Sequence, residues 1–328
     1  MSESQGSISA SDAPFQSNRS VGEESRLPNF FIVGAARSGT TSLYTYLAEH
    51  PDVYMSYVKE PGYFGSDLTK TPNEFLVLEK GAYLNLFRYA GRKPIRGEAS
   101  VYYLISKMAA QEIYEFNPGA HILIILRNPV DMLYSYHSQM HLIGHENISD
   151  FEQALAAEPE RRQGRRIPNS VVVPEALYYS EVARYHSQVE RFLRTFPQDQ
   201  LKIILYDDLV GKPEETYFSI LDFIGVRRIA PRSYAAVNAY KRPRSTTLAA
   251  MIQRPPKVAR FFLGAIPQPY RFKLLARSLV TLNSRNGTRQ PLRPELKRQL
   301  TDSFADDIRK LAILIDRDLS GWLGGSER

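Results

Sequence analysis

The sequence contains no cysteine among its 328 residues. Disulfide bonds, thiolate metal sites and a cysteine nucleophile are therefore excluded, and the composition fits a reducing compartment. No apolar run reaches the roughly 18 residues that a membrane-spanning helix needs, and no charged, apolar and small-residue signal pattern opens the chain. We therefore expect a soluble, cytoplasmic protein.

Acidic residues are almost missing from residues 241–298, which hold 14 Lys and Arg but only one acid, Glu295. The net charge of +7 is therefore a local excess. A basic block of this kind suits an anionic cofactor, an acidic acceptor, an acyl carrier protein or a membrane surface. No nucleic-acid-binding motif accompanies it, so we do not expect nucleic acid as a partner.

Apolar residues are scarce in residues 1–26, in which polar and small residues, above all Ser, predominate. This composition predicts a disordered tail. The remaining residues, 27–328, are numerous enough to form one large domain with its own core. Within that domain we expect 241–298 to be a basic, irregular or helical subregion.

The chain has a strand, loop and helix pattern near its beginning. The apolar run Phe30 to Val33 fits a buried strand, a short stretch bounded by Gly34 and Gly39 follows, and a helical pattern continues from there. Two glycines permit a tight turn, and the first amides of a helix attract a phosphate. The candidate anion ligands of this loop are Arg37, Ser38, Gly39, Thr40, Thr41 and Ser42.

This loop lacks the lysine of a Walker A motif, because Gly39-Thr40-Thr41 stands where that motif has Gly-Lys-Ser/Thr. An ordinary ATP or GTP site is therefore disfavoured. A P-loop kinase or NTPase, and a non-catalytic nucleotide- or anion-binding module, are the alternative interpretations.

A second phosphate motif is predicted near residue 127. The apolar run His121 to Leu126 is typical of a strand buried on both faces, and Arg127 follows its carboxyl end. Asn128 and Pro129 then favour the start of a helix, which places Ser135 about 9 Å along its axis. Arg127 and Ser135 can both face one ligand at the carboxyl edge of a sheet.

Strands and helices alternate through most of the chain, which predicts an α/β fold with a central parallel sheet and helices on both faces. This is a P-loop-like, three-layer architecture. We also predict one long amphipathic helix from Leu177 to Phe196, a polar and basic loop from Arg161 to Ser170, and a closing helix from Pro294 to Ile315.

Three separated pieces resemble the sulfotransferases that use 3'-phosphoadenosine 5'-phosphosulfate (PAPS). The stretch Arg37 to Leu43 resembles their 5'-phosphosulfate loop, with arginine in place of the usual lysine, and Arg127 with Ser135 resembles their 3'-phosphate segment. Leu177 to Leu209 is similar to their late helix, strand and acidic-leucine ending. Without an anchor or cysteine, the chain resembles a bacterial-type soluble member.

The resemblance implies roles for individual residues. Arg37, with Thr40, Thr41 and Ser42, would hold the 5'-phosphosulfate, and Arg127 with Ser135 would hold the 3'-phosphate. It also suggests that other residues close over the nucleotide, namely Tyr178, Arg242 and Arg244. PAPS would be the co-substrate, adenosine 3',5'-bisphosphate (PAP) the product, and no metal would be required. The acceptor hydroxyl, attacked in line, would belong to a sugar, a lipid, a polyketide or another small molecule.

The general base remains open between three residues. The segment from Lys59 to Phe64 is similar to the one in which heparan-type sulfotransferases keep a glutamate, which places Glu60 in that role. Glu98 and His137 are the alternatives. The chain departs from the heparan-type pattern at Gly62, where a histidine is common, and at Ala99, where many carbohydrate-type members have lysine.

Overall fold

In the computed structural model, the described residues are 27–70, 76–234, 241–253, 276, 278–287 and 289–324. Their largest feature is a five-stranded sheet of β1 (Phe30–Gly34), β2 (Val53–Met55), β3 (Ile95–Ala99), β4 (His121–Leu126) and β5 (Leu201–Leu205). The strand order is β2-β3-β1-β4-β5, and every neighbouring pair is parallel. The predicted parallel α/β sheet is confirmed.

The sheet is covered on both faces, because successive side chains of a strand point to opposite sides. In β1, Phe31 and Val33 join one buried cluster, whereas Phe30 and Ile32 join another. Residues of β4 alternate between the same two clusters. This alternation produces the predicted three layers and explains why the central strands are uninterrupted apolar runs.

Two sets of helices form the outer layers. The α1 helix (Thr40–Glu49) and a later helix, Pro213–Phe223, pack on one face. The other face is covered by residues from helices Ala109–Phe116, Pro129–Leu142, Tyr185–Thr195 and Pro294–Leu314. In chain order after α1, the helices are α2 (Lys80–Asn85), α3 (Ala109–Phe116), α4 (Pro129–Leu142), α5 (Phe151–Ala156), α6 (Glu158–Arg162), α7 (Tyr179–Val182), α8 (Tyr185–Thr195), α9 (Tyr206–Gly211), α10 (Pro213–Phe223), α11 (Thr246–Gln253) and α12 (Pro294–Leu314).

A small antiparallel pair, β6 (Lys241–Pro243) and β7 (Ser284–Asn286), lies in the basic block. Residues 254–275 of that block lie outside the described residues, as does the predicted N-terminal tail. The division into a tail and one domain therefore stays a prediction. In the described ranges, no helix combines the length and apolarity needed to cross a bilayer.

The α4 helix begins as the sequence predicts. The side chain of Asn128 accepts hydrogen bonds from the amides of Val130 (3.0 Å) and Asp131 (3.3 Å), and Pro129 occupies the first helical position. These bonds satisfy amides that have no partner inside the helix. The cap fixes the direction in which α4 leaves the edge of the sheet and so orients Ser135.

The prediction of one continuous helix from Leu177 to Phe196 is wrong, because the helix is interrupted. A 3₁₀ turn (Pro174–Leu177) is followed by α7 and α8, which are separated at Ala183 and Arg184. Side chains replace the missing helical bonds, since the Gln188 amide donates to the carbonyls of Glu181 (2.7 Å) and Val182 (3.4 Å). Apolar periodicity alone does not reveal such a break.

Candidate active site

The loops that follow the strands meet at the carboxyl edge of the sheet, where open α/β sheets bind their ligands. The loop after β1 carries Arg37, Arg127 follows β4 directly, and Tyr206 follows β5. Glu60 lies beyond β2, and Ser100 follows β3. All five strands therefore contribute to one rim, with β1 at its centre.

The turn after β1, residues 34–42, is here called the phosphate loop. Its backbone is left-handed at Arg37 (φ 58°) and at Gly39 (φ 89°), immediately before α1. A Cβ atom on Gly39 would lie 2.8 Å from Leu209 Cδ2 and 3.3 Å from Tyr206 Cδ2. Both the dihedral angle and the packing therefore require glycine. No acidic residue occupies the first turn of α1, which leaves the positive end of the helix dipole available for an anion.

The two predicted phosphate motifs lie in direct contact. Arg37 Nε donates to Ser135 Oγ (3.0 Å), and Arg127 Nη1 donates to the carbonyl oxygen of Arg37 (3.1 Å). Arg289, which the sequence analysis did not single out, donates from Nη2 to the same Ser135 Oγ (3.3 Å). We call Arg37, Arg127 and Arg289 the arginine cluster. Segments that are far apart in the sequence thus bring Arg37 and Arg289 to one hydroxyl and place Arg127 beside them, on the backbone of Arg37.

The electrostatics of the arginine cluster favour an anionic ligand. The pKa of Arg37 is lowered to about 10, first by burial and then by the charges of Arg289 and Arg127. Among the described residues, no carboxylate oxygen lies within 4.0 Å of the guanidinium of Arg37 or Arg127. Arg127 instead lies over the ring of Tyr206 at 4.5 Å. Cations withdrawn from water are normally paired, so these two half-buried arginines are suited to an incoming anion.

Glu60 lies at the same rim, in a turn that spans residues 60–65 and is here called the base loop. Its backbone is left-handed (φ 59°), its amide donates to the carbonyl of Ala99 (2.9 Å), and its Oε2 accepts from the amide of Val101 (2.8 Å). The other carboxylate oxygen forms an ion pair with Lys59, and the side chain is 34% exposed. The carboxylate is therefore fixed in direction and still accessible.

The two alternative bases are enclosed. Glu98 is fully buried, and its oxygens accept hydrogen bonds from the hydroxyls of Tyr83, Ser100 and Tyr103, each at 2.8 Å. Burial raises its pKa to about 7. His137 is buried with Nε2 2.9 Å from the carbonyl oxygen of Ile148, and burial lowers its pKa. Of the three candidate bases, Glu60 has the side chain that is most accessible to solvent.

Two of the predicted nucleotide ligands, Tyr178 and Arg244, bond to other groups than the arginine cluster in the described residues. The Tyr178 hydroxyl donates to the carbonyl of Arg161 (3.4 Å), and its ring lies under Arg162. Arg244 is exposed and donates to the carbonyl of Ser284 (3.2 Å). Arg242 lies in β6, but its side chain is outside the described part of the chain. The roles of these residues stay predictions.

The prediction of a polar loop from Arg161 is wrong at that residue. Arg161 lies at the end of α6 and is fully buried, where its Nη2 donates to both carboxylate oxygens of Glu146 (2.8 and 2.7 Å). Tyr179 and the amide of Ile148 also donate to that carboxylate, at 2.8 and 2.9 Å. This arginine is internally neutralised, in contrast to Arg37.

Known proteins that resemble this chain identify the family to which it belongs. The model of the sulfotransferase domain family matches residues 27–251, and the chain belongs to that family. It carries a PAPS-dependent sulfotransferase domain, which supports the resemblance found in the phosphate motifs and disfavours the kinase interpretation.

A bacterial structure and two human proteins illustrate the relationship. A sulfotransferase from Alicyclobacillus acidocaldarius is 30% identical with a TM-score of 0.66, and the match covers 90% of this chain and 98% of that one. The human bifunctional heparan sulfate N-deacetylase/N-sulfotransferase 2 is 28% identical over 214 residues, 61% of this chain. Human heparan sulfate glucosamine 3-O-sulfotransferase 6 is 24% identical over 221 residues, 66% of this chain. The matched regions are 22% and 57% of these two human proteins.

Proposed function

We propose that this protein transfers the sulfuryl group of PAPS to an acceptor hydroxyl, giving a sulfate ester and PAP. The observation that carries the proposal is the arginine cluster on Ser135, beside the start of α1. A donor with phosphate groups at both ends of one nucleoside needs two cationic sites a short distance apart. We assign one of these sites to the phosphate loop and the other to Arg127 and Arg289, which lie next to it on the Arg37 carbonyl and on Ser135.

Each of the two sites would bind one end of the nucleotide. The phosphate loop, with Arg37 and the hydroxyls of Thr40, Thr41 and Ser42, is suited to the 5'-phosphosulfate at the helix terminus. Arg127, Ser135 and Arg289 are suited to the 3'-phosphate. Arginine donates in a planar fork, so it can bind phosphate oxygens bidentately.

Glu60 is proposed to accept the proton of the acceptor hydroxyl. As the acceptor oxygen forms its bond to sulfur, the bond from sulfur to the 5'-phosphate oxygen breaks and the electron pair stays on that oxygen. Arg37 and the amides of the phosphate loop stabilise the negative charge that grows there. Binding of donor and acceptor at one rim supplies the attack geometry.

The acceptor class is open between saccharide, lipid and carrier-borne hydroxyls. Of the two human relatives, the heparan sulfate glucosamine 3-O-sulfotransferase 6 is named for an oxygen acceptor, which makes glucosaminyl saccharides the first class to test. The basic block 241–298 suits an acidic carrier protein or a membrane surface, and this role remains a prediction.

The experiment compares two variants for nucleotide binding and turnover. Arg127→Ala should weaken PAP binding by at least about 30-fold in calorimetry, because it removes one of the cations of the site. Glu60→Gln should preserve PAP binding and lower PAPS turnover by about 100-fold or more. Acceptors would be heparan oligosaccharides, a medium-chain alcohol and a 3-hydroxyacyl thioester.

Arg228→Ala is the control, since this exposed arginine pairs with Asp222 and lies outside the site. Tighter binding of Mg-ATP than of PAP by the unaltered protein would contradict the proposal. Full turnover by Glu60→Gln would show that a different residue is the base.

A further inference from the structure

Glu98 is connected to the base loop through hydroxyl groups. Ser100 Oγ donates to Glu98 Oε2 (2.8 Å) and accepts from the amide of Gly62 (3.2 Å). The Tyr103 hydroxyl donates to Glu98 Oε1 (2.8 Å) and accepts from the amides of Tyr63 (3.0 Å) and Phe64 (3.4 Å). Two hydroxyls therefore link one buried carboxylate to three consecutive amides.

The direction of these bonds depends on the charge of Glu98. A carboxylate can only accept, so each hydroxyl hydrogen must point toward it and each hydroxyl lone pair then faces the base loop. A protonated Glu98 carries a hydrogen of its own, and one of the hydroxyls has to turn to accept it. The ionised form is the one that fixes the hydroxyls as acceptors for the loop amides.

The base loop needs such support, because its backbone is left-handed at Glu60 (φ 59°), a residue with a side chain. A left-handed conformation is costly for a residue with a side chain and persists only where the surroundings impose it. Lys70 adds further bonds, donating from Nζ to the carbonyls of Tyr63 (2.9 Å) and Phe64 (2.6 Å).

We propose that Glu98 is a positioning residue, whose buried carboxylate orients the hydroxyls of Ser100 and Tyr103 so that they hold the base loop, and with it Glu60, in place. This inference rests on the proposed role of Glu60. It assigns Glu98 a function other than that of the base itself.

The charge of Glu98 can change near neutral pH. Burial raises its pKa to about 7, and the nearby charge of Glu60 acts in the same direction. The hydroxyls of Ser100, Tyr103 and Tyr83 oppose this shift, and the ammonium of Lys70 is the nearby cation. Among the described residues, no Lys, Arg or His nitrogen lies within 4.0 Å of Glu98. When the base loop opens locally and Glu98 stays buried, the hydrogen bonds that hold the loop should therefore weaken as the solution becomes acidic. The stability of the whole fold has the opposite dependence, because global unfolding exposes the buried carboxylate.

Amide hydrogen exchange of the 60–65 segment tests the link without requiring a known acceptor. Tyr103→Phe and Glu98→Gln should raise exchange of these amides about tenfold, the equivalent of one hydrogen bond. Tyr83→Phe is the matched control, because its hydroxyl donates to the same Glu98 oxygen at the same distance and has no bond to the base loop amides. It should change this exchange much less.

The pH dependence of this amide exchange distinguishes a positioning role of Glu98 from a purely structural one. After correction for intrinsic exchange, protection of the 60–65 amides should fall in the unaltered protein between about pH 8 and about pH 6, and should not follow pH in Glu98→Gln. PAPS turnover of Tyr103→Phe should fall in kcat while the PAP dissociation constant stays unchanged.

Equal effects of Tyr103→Phe and Tyr83→Phe on the 60–65 amides would overturn the proposal, and so would a pH profile shared by the unaltered protein and Glu98→Gln. If Glu98→Gln fails to fold, the comparison of Tyr103→Phe with Tyr83→Phe decides. Failure of the proposed function is distinguishable, since it would appear as absent PAP binding or absent PAPS turnover in the unaltered protein.

Discussion

Replacement of Arg37 by methionine should make the ligand-free protein more stable while it removes nucleotide binding. The pKa of Arg37 is lowered from 12.5 to about 10, so its charged form is disfavoured in the folded state. Both pKa values lie above neutral pH, and the full cost, up to about 3 kcal/mol, therefore applies at pH 7. Methionine keeps much of the length of the side chain and carries no charge.

Part of that gain is offset. Arg37 loses its hydrogen bonds to Ser135 (3.0 Å) and to Gln139 Oε1 (3.4 Å), which together contribute about 1 to 2 kcal/mol. The net expectation is a rise in the free energy of unfolding of about 1 to 2 kcal/mol, measured by urea denaturation at pH 7.5. Saturating PAP should stabilise the unaltered protein by about 3 kcal/mol at 100 times its dissociation constant, and should not stabilise the variant.

Arg161→Met is the control, because Arg161 is more completely buried than the half-buried Arg37 but is paired with Glu146. Its replacement leaves a buried carboxylate without its cation and should destabilise the protein by about 3 to 5 kcal/mol. The two substitutions thus have opposite expected signs. If Arg37→Met lowers the stability of the ligand-free protein and leaves PAP affinity intact, Arg37 is a structural residue and the reasoning about the arginine cluster is refuted.

Two further predictions concern Glu98 and Gly39. The pKa of Glu98 in the folded protein, about 7, lies above its ordinary value, so the contribution of Glu98 to stability should fall as pH rises from about 4.5 to about 7. Relative to Glu98→Gln, the unaltered protein should lose up to about 3 kcal/mol of unfolding free energy between pH 5 and pH 8. Parallel pH profiles of the two proteins in urea denaturation would contradict this. Gly39→Ala should lower the free energy of unfolding by about 1 to 2 kcal/mol, because alanine disfavours the left-handed backbone of this position. It should also weaken PAP binding, because the added Cβ would press on Leu209 and Tyr206 and so displace the phosphate loop. Gly164→Ala, at a left-handed glycine with open space around it, should show a similar loss of stability with unchanged PAP affinity in calorimetry; equal losses of affinity would contradict the loop argument.

The parts of the fold that the sequence predicted well are those set by local patterns. The apolar run of β4, the Asn128 cap and the first proline of α4 lie within ten residues of one another, and each acts through its neighbours in the chain. The glycine-bounded turn before α1 is another local signal. For this reason the strand, loop and helix units that carry Arg37 and Arg127 were predictable in kind and in position.

The parts that the sequence did not predict depend on distant partners. Arg161 looked like a solvated loop residue because its carboxylate partner, Glu146, is 15 positions away and on another segment. Arg289 was one of 14 basic residues in its block, and its bond to Ser135 spans 154 positions. Charge alone does not distinguish a cation that a fold neutralises from one that it leaves for a ligand.

That distinction is what makes the candidate site chemically specific. In the described residues, Arg161 has its own buried carboxylate, whereas Arg37 is surrounded by a serine, a glutamine and two other cations. Burial without a carboxylate is unfavourable in the ligand-free protein, and the same burial strengthens attraction to a bound phosphate. The fold therefore bears an electrostatic cost at the rim, and we expect an anionic nucleotide to remove it. Glu60 lies at the same rim as the arginine cluster, and the buried Glu98 is linked to its loop through Ser100 and Tyr103. If the proposed roles hold, nucleotide binding and proton transfer depend on two oppositely charged clusters at one sheet edge.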